Sequence, residues 1–120
     1  NQERDFLYVS DVVRANLLSI EDSPHLSLRP MKIAKKRKFG DFIYNLGTGK
    51  GTSVNRIFRI LKEITHYKLD PLYAPPKTGE VYKIFLDAEK AKRELGWEPA
   101  VYLNEGLKRT VSWFEKAEKI

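Results

Sequence analysis

The stretch YNLGTGKGTS, residues 44–53, decides the fold because it joins two unlike sequence patterns. A run of β-forming residues, Phe42-Ile43-Tyr44, leads into it, and apolar residues at helical spacing follow it. Three of the chain's seven glycines lie between them. Strand, Gly-rich turn and helix is the order found in phosphate-binding loops. The first question is therefore whether this turn binds a nucleotide or is only a tight connection.

The spacing of the glycines argues against a nucleotide loop. A P-loop needs Gly-x-x-x-x-Gly-Lys followed directly by Ser or Thr. Here Gly49-Lys50 is followed by Gly51, and the position five residues before Gly49 is Tyr44. A dinucleotide fingerprint needs Gly-x-Gly-x-x-Gly, whereas Gly47, Gly49 and Gly51 give Gly-x-Gly-x-Gly. We therefore interpret the glycines as residues that permit a tight strand-to-helix turn.

Composition narrows the class of protein. The chain has 120 residues, 42% of them hydrophobic and 32% charged, which is typical of one soluble globular domain. No apolar run approaches the roughly 20 residues that a membrane-spanning helix needs. The chain has no cysteine, which excludes disulfides, Cys-ligated zinc and a thiol nucleophile. The polar start, NQERDF, shows no signal peptide, so we expect a cytoplasmic protein.

Four segments carry apolar residues at helical spacing. Asp11 is assigned to the start of the first helix, and Thr52 or Ser53 can cap the second. Gly96 is suited to end the third helix, and Trp97 directly after it is expected to fill the core. The predicted helices span about residues 11 to 22, 54 to 64, 88 to 95 and 103 to 119.

Short β-forming runs lie between these helices. They predict strands at residues 5–9, 41–46 and 81–86, with a further extended piece at 71–74. Too few strand–helix–strand units are present for a complete Rossmann fold. The predicted fold class is a mixed α/β (α+β) single domain over residues 1–120, with short strands and about four helices.

A basic loop at about residues 23–40 offers a second hypothesis. Its run KIAKKRK, residues 32–38, holds five basic residues in seven, and the formal net charge of the chain is +6. Such charge suits nucleic acid or another anionic ligand. The run has no interleaved aromatic residues for base stacking, so a solvated loop is favoured and nucleic acid binding is not.

Three longer stretches occur in a meaningful order: RDFLYVSDVVRANLLSIE, YNLGTGKGTSVNRIFRILKEI and GEVYKIFLDAEKAKRELGWEPAVYLNEGLKRTVSWF. Together they resemble the C-terminal, substrate-binding part of the extended short-chain dehydrogenase/reductase family. The resemblance is strongest to NAD-dependent nucleotide-sugar epimerases of the UDP-glucose 4-epimerase type. The dTDP-glucose 4,6-dehydratases and UDP-glucuronate-modifying enzymes share much of the pattern, and they remain alternatives.

The resemblance implies that NAD and the catalytic Tyr-x-x-x-Lys pair belong to an N-terminal half that these residues do not include. Tyr73 and Lys77 have that spacing, but Pro75 and Pro76 between them prevent the shared helix face that the pair needs. We expect a UDP-sugar-binding half that is inactive alone and binds no NAD by itself. A Rossmann-half polypeptide is its expected partner, and self-association into a homo-oligomer is a further expectation.

The resemblance also implies three substrate-binding residues. In the family, the arginine of the RDF motif contacts a phosphate, and here it is Arg4. An Arg-x-Gly-Asp-like loop supplies a second cation and an acid for ribose hydroxyls. The matching residues here are Lys77 and Glu80, a departure that keeps both charges but loses the guanidinium fork. The alternatives are a surface or Asp-paired Arg4 and a merely exposed turn. No catalytic residue and no metal ligand is predicted.

Overall fold

The computed structural model describes residues 2–21 and 42–117. Four helices and two very short strands make up the regular structure of these residues, in agreement with a mixed α/β fold. The basic loop predicted at 23–40 lies outside the described residues. In chain order the elements are β1 (Glu3–Arg4), α1 (Val9–Glu21), β2 (Thr52–Ser53), α2 (Val54–Thr65), α3 (Glu89–Leu95) and α4 (Leu103–Ala117).

Strand β1 lies between two extended segments. On one side it pairs antiparallel with β2, with Arg4 opposite Thr52. On the other side the Glu3 N–H donates to the Tyr82 carbonyl at 2.9 Å, and the Ile84 N–H donates to the Glu3 carbonyl at 3.2 Å. The N-terminal segment is therefore held on both edges although the sheet itself has only two strands.

The strand predictions were wrong in their bounds. The first strand covers residues 3–4 instead of 5–9, and Val9 already belongs to α1. Residues 81–86 contribute one parallel bridge, Glu3 to Lys83, and no longer ladder. Residues 42–46 belong to no ladder in the described part of the chain. A β-forming composition yields a strand only where a neighbouring segment supplies a hydrogen-bonding partner.

The helix ends follow the sequence signals closely. The Ser53 hydroxyl accepts from the Arg56 N–H at 3.2 Å and caps α2. Gly96 adopts a φ of 65° after α3, as a glycine that ends a helix does. The Asp87 carboxylate accepts from the Glu89 N–H at 2.8 Å at the start of α3. These local hydrogen bonds explain why α2 and α3 begin and end where the sequence predicts.

A small core joins α1 to α3. Trp97 and Ala91 are fully buried, and Ala15 of α1 lies against them. This confirms Trp97 as the core residue that the sequence predicts. Six partly buried hydrophobic residues pack around these three: Leu7, Leu18, Tyr44, Leu46, Ala88 and Leu95.

Asp11 lies in the first turn of α1, as predicted, but its carboxylate binds a distant segment instead of capping the helix. Asp11 is 1% exposed and lies two residues after Val9, the first residue of α1. Its Oδ2 accepts from the Ala100 and Val101 N–H groups at 3.1 and 3.0 Å, and the Trp97 indole N–H donates to its carbonyl at 2.8 Å. Burial raises the pKa of Asp11, but these amides and Arg14 more than offset that and lower it. Asp11 therefore fastens the segment after α3 onto α1.

The outer face of α1 remains largely exposed. Val9, Val13, Leu17 and Ile20 repeat at helical spacing and are 50% to 65% exposed. The opposite side of the same helix packs against the Trp97 core. A helix that is apolar on two opposite sides is typical of one that is covered on both. None of the helices described here is both long and apolar enough to cross a membrane.

Candidate functional site

The Gly-rich turn, residues 47–51, is organised around the carboxylate of Asp5. Oδ1 of Asp5 accepts from the Thr48 N–H at 2.9 Å and from the Thr48 hydroxyl at 2.6 Å. Oδ2 accepts from the Gly49 N–H at 3.0 Å and from the Leu86 N–H at 3.3 Å. Burial alone would raise the pKa of Asp5, but these hydrogen bonds favour the charged form and lower it. The anion that the turn binds is therefore the carboxylate of Asp5, a residue of the same chain.

This arrangement explains two of the glycines. A Cβ at Gly47 would lie 2.5 Å from Oδ2 of Asp5 and 3.0 Å from Cβ of Leu86, so a side chain there would displace the carboxylate. Gly49 has a φ of 71°, a conformation that glycine adopts without strain. These observations support the interpretation that the glycines permit a tight turn.

The same contacts test whether the turn fits a dinucleotide. A pyrophosphate at such a turn needs free backbone N–H groups. Here the N–H groups of Thr48 and Gly49 already donate to Asp5. A phosphate in this place would also meet a carboxylate of the same sign. The described residues therefore do not fit NAD at the Gly-rich turn.

Arg4 lies in β1 and is half-buried. Its Nη1 donates to the Glu3 carbonyl at 2.8 Å. Among residues 2–21 and 42–117 its guanidinium forms no ion pair, and the adjacent Asp5 is bound by the Gly-rich turn instead. A guanidinium has five N–H donors, so most of those of Arg4 have no hydrogen-bond partner among the described residues.

The predicted second cation and acid lie in a turn at residues 77–80. The Glu80 N–H donates to the Lys77 carbonyl at 3.3 Å, and Gly79 adopts a φ of 84°. The Gln2 side-chain amide donates to Oε2 of Glu80 at 2.5 Å. Lys77 is exposed, and its side chain has no hydrogen bond or ion pair with any residue that the structure describes.

Glu80 is hydrogen-bonded to Gln2, the residue that precedes the strand carrying Arg4. Side chains alternate between the two faces of an extended segment, so Gln2 and Arg4 share a face. Because Gln2 binds Glu80, the 77–80 turn borders that face. Glu3 lies on the other face, where its carboxylate binds Lys83 at 3.0 Å. The side chain of Lys77 forms no hydrogen bond or ion pair with Arg4 or Glu80 in the described structure.

A groove of about 640 Å³ lies elsewhere. It runs beneath the Gly-rich turn and along the start of α3, and Lys92 and Glu98 form an ion pair at 2.5 Å on its wall. Arg4, Lys77 and Glu80 do not line it. Within the described ranges no cluster of three or more His, Asp and Glu side chains could hold a metal ion. The candidate site thus depends on the charged groups near β1 and not on this groove.

Sequence reasoning missed Asp5. The RDF motif directed attention to Arg4, while Asp5 looked like an ordinary strand residue. Its partners lie 43, 44 and 81 residues away, so no local pattern reveals them. The one available signal was a turn with the layout of an anion-binding loop and the wrong glycine spacing for a nucleotide.

Comparison with known proteins identifies the family. Residues 1–110 match the family model described as GDP-mannose 4,6 dehydratase. A putative UDP-glucose 4-epimerase of Methanocaldococcus jannaschii is 41% identical over 115 residues, which cover 96% of this chain and 32% of that protein. A UDP-glucuronate 4-epimerase of Thermodesulfobacterium geofontis is 36% identical over 93% of this chain and 30% of its own length.

Solved structures of nucleotide-sugar enzymes also match this chain. UDP-glucose 4-epimerase of Thermotoga maritima, solved with UDP-glucose, is 47% identical with a TM-score of 0.77, covering 98% of this chain and 33% of its own. MoeE5 in complex with UDP-glucose and NAD is 31% identical with a TM-score of 0.74, covering 98% of this chain and 34% of its own. The chain thus spans about a third of the length of the relatives that it matches, and it belongs to the GDP-mannose 4,6-dehydratase family.

Proposed function

We propose that residues 1–120 form the nucleotide-sugar-binding part of a UDP-glucose 4-epimerase-like enzyme. The observation that carries this proposal is Arg4, a half-buried arginine whose neighbouring carboxylate is bound elsewhere. A guanidinium with free donors is suited to a diphosphate, because it can form two parallel charge-assisted hydrogen bonds. The similarity to a UDP-glucose 4-epimerase solved with UDP-glucose supports the choice of ligand.

The 77–80 turn supplies the rest of the proposed site. Lys77 is an exposed cation that can add a point charge to the phosphates without the geometry of a guanidinium fork. Glu80 can accept hydrogen bonds from ribose hydroxyls, with Gln2 orienting its carboxylate. In this proposal the three side chains hold the nucleotide end of the substrate. Their contribution to the reaction is orientation of the sugar, which lowers the entropic part of the barrier.

The redox step and the catalytic base are assigned to polypeptide beyond these residues. The Gly-rich turn does not fit NAD, since Asp5 occupies its amides. The Tyr73-to-Lys77 spacing falls in an irregular segment outside any helix. We therefore propose that the chain alone has no epimerase activity and that its partner is a NAD-binding Rossmann half.

Calorimetry tests the binding claim. The 120-residue chain is titrated with UDP, dTDP, GDP and uridine. Binding of UDP and weaker binding of uridine by at least about tenfold is expected, because uridine lacks the charged groups that Arg4 would bind. Arg4→Ala should weaken UDP binding more than Lys77→Ala does. Arg93→Ala is the matched control, since Arg93 is an exposed arginine of α3 that pairs with Glu94. Equal affinities for UDP and uridine contradict the proposal.

Reconstitution tests the activity claim. The chain is assayed for conversion of UDP-galactose, alone and with the part of the Thermotoga maritima enzyme that it does not match. We expect turnover only in the mixture. Turnover by the chain alone contradicts the assignment of the chemistry to a partner.

A further inference from the structure

The hydrogen bonds of Asp5 connect it to the proposed ligand site. Its carboxylate joins two distant parts of the chain, the Gly-rich turn and Leu86. It also directly follows Arg4 in sequence. Any change in how Asp5 is held therefore acts on the backbone immediately next to Arg4.

The same two parts of the chain also pair with β1, one at Arg4 and the other at Glu3. Thr52, three residues after Gly49, is the ladder partner of Arg4 in β2. Ile84, two residues before Leu86, donates to the Glu3 carbonyl from the other side. Asp5 thus binds the continuation of each segment that flanks β1. Hydrogen bonds therefore hold both edges of β1, and they also hold Asp5, the residue that follows Arg4.

We infer that Asp5 is a positioning residue that sets the orientation of Arg4 toward the diphosphate by holding the Gly-rich turn and Leu86 on either side of β1. The inference rests on the proposed function, because it assumes that Arg4 binds the diphosphate. Asp5 itself does not contact the ligand.

The charges support a positioning role over direct contact. A carboxylate that touched the diphosphate would repel it. A carboxylate paired with Arg4 would compete with phosphate for the same donors. Asp5 does neither, because its oxygens accept from the backbone of Thr48, Gly49 and Leu86 and from the Thr48 hydroxyl. The carboxylate next to Arg4 is hydrogen-bonded by amides instead of by the guanidinium, which keeps its donors.

A double-mutant cycle separates positioning from general stability. UDP binding is measured by calorimetry for the full chain and for Asp5→Asn, Arg4→Ala and the double variant, at a temperature where circular dichroism shows each to be folded. We expect Arg4→Ala to weaken binding by about 10- to 100-fold, as for a lost charge-assisted bond. Asp5→Asn should weaken it by about 5- to 20-fold. In the Arg4→Ala background, Asp5→Asn should add no more than about twofold, because its effect passes through Arg4.

Two further variants complete the test. Asp70→Asn is the matched control, since it removes an exposed carboxylate that binds Lys62 at 2.9 Å, and it should leave UDP affinity unchanged. Thr48→Val removes one donor to Asp5 and serves if Asp5→Asn does not fold. It should weaken UDP binding by about two- to fivefold, again only when Arg4 is present.

The outcomes distinguish the two claims. If the unaltered chain does not bind UDP, the proposed function fails and this inference fails with it. If the chain binds UDP and Asp5→Asn or Thr48→Val binds it equally well, the positioning role is overturned and the proposed function stands. Effects of Asp5→Asn and Arg4→Ala that simply add also overturn it, because they show that Asp5 acts independently of Arg4.

Discussion

Replacement of Gly47 by alanine is the most informative single change to the Gly-rich turn. The new Cβ would lie 2.5 Å from Oδ2 of Asp5 and 3.0 Å from Cβ of Leu86. The first of these atoms is fixed by hydrogen bonds from Gly49 and Leu86, so it cannot move without breaking them. Gly47 is also buried and has no positive φ, so backbone strain does not contribute.

The expected cost follows from these contacts. Inserting a methyl group into a packed position costs about 1–3 kcal/mol. Weakening a hydrogen bond to a charged acceptor adds up to about 1.5–3 kcal/mol. We therefore expect Gly47→Ala to lower the free energy of unfolding by about 2–4 kcal/mol. That is a large fraction of the roughly 5–15 kcal/mol by which domains are usually stable.

Gly51→Ala provides the comparison. Its Cβ would meet Oε2 of Glu3 at 2.6 Å, which is the far end of a flexible side chain, and Cβ of Glu3 at 3.2 Å, and Gly51 also has no positive φ. The Glu3 carboxylate can rotate away with loss of its partly exposed ion pair with Lys83, and Cβ of Glu3 needs only a small shift, so a loss of about 1 kcal/mol is expected. Urea unfolding followed by circular dichroism measures both variants. Equal losses for Gly47→Ala and Gly51→Ala would refute the claim that a fixed Asp5 carboxylate requires glycine at 47.

Three other predictions concern stability and the basic loop. Hydrogen bonds lower the folded pKa values of Asp5 and Asp11 below the ordinary 3.8, so their stabilisation is full above the unfolded pKa and is lost as pH falls through the folded values. The urea midpoint should drop as the pH falls below about 4, and Asp11→Asn should flatten that drop; an unchanged slope contradicts the assignment. Leu18→Ala should cost about 2 kcal/mol or more because Leu18 packs on the core, whereas Leu17→Ala should cost under about 0.5 kcal/mol at a 57% exposed position. Equal losses in thermal unfolding would show that the outer face of α1 is covered. Binding to random DNA should be weaker than micromolar at physiological salt in a salt titration, and submicromolar affinity would favour the nucleic acid hypothesis.

The features that sequence predicts well are local. The apolar spacing, the Ser53 cap and the glycine after α3 gave the four helices within a few residues, because each depends on neighbours in the chain. Trp97 was predictable as a core residue because it is large and follows a helix end. The strands could not be predicted in the same way. Residues 42–46 and 81–86 have β-forming composition, but they form little or no ladder in the described structure.

The roles of the two aspartates depend on distant partners. Asp11 was expected at a helix start, yet its carboxylate binds amides 89 and 90 residues away. Asp5 binds amides in two distant segments, one of which is the Gly-rich turn. The glycine spacing argued against a nucleotide loop, and the structure shows that the Asp5 carboxylate accepts from the amides of this turn. The roles of Arg4, Lys77 and Glu80 remain predictions that come from family resemblance.

A crystal structure of the chain with UDP tests the central claim most directly. We predict a phosphate oxygen within about 3 Å of the Arg4 guanidinium, with the carboxylate of Asp5 still bound to Thr48 and Gly49. A diphosphate bound to the amides of the Gly-rich turn, with Asp5 displaced, would contradict the account.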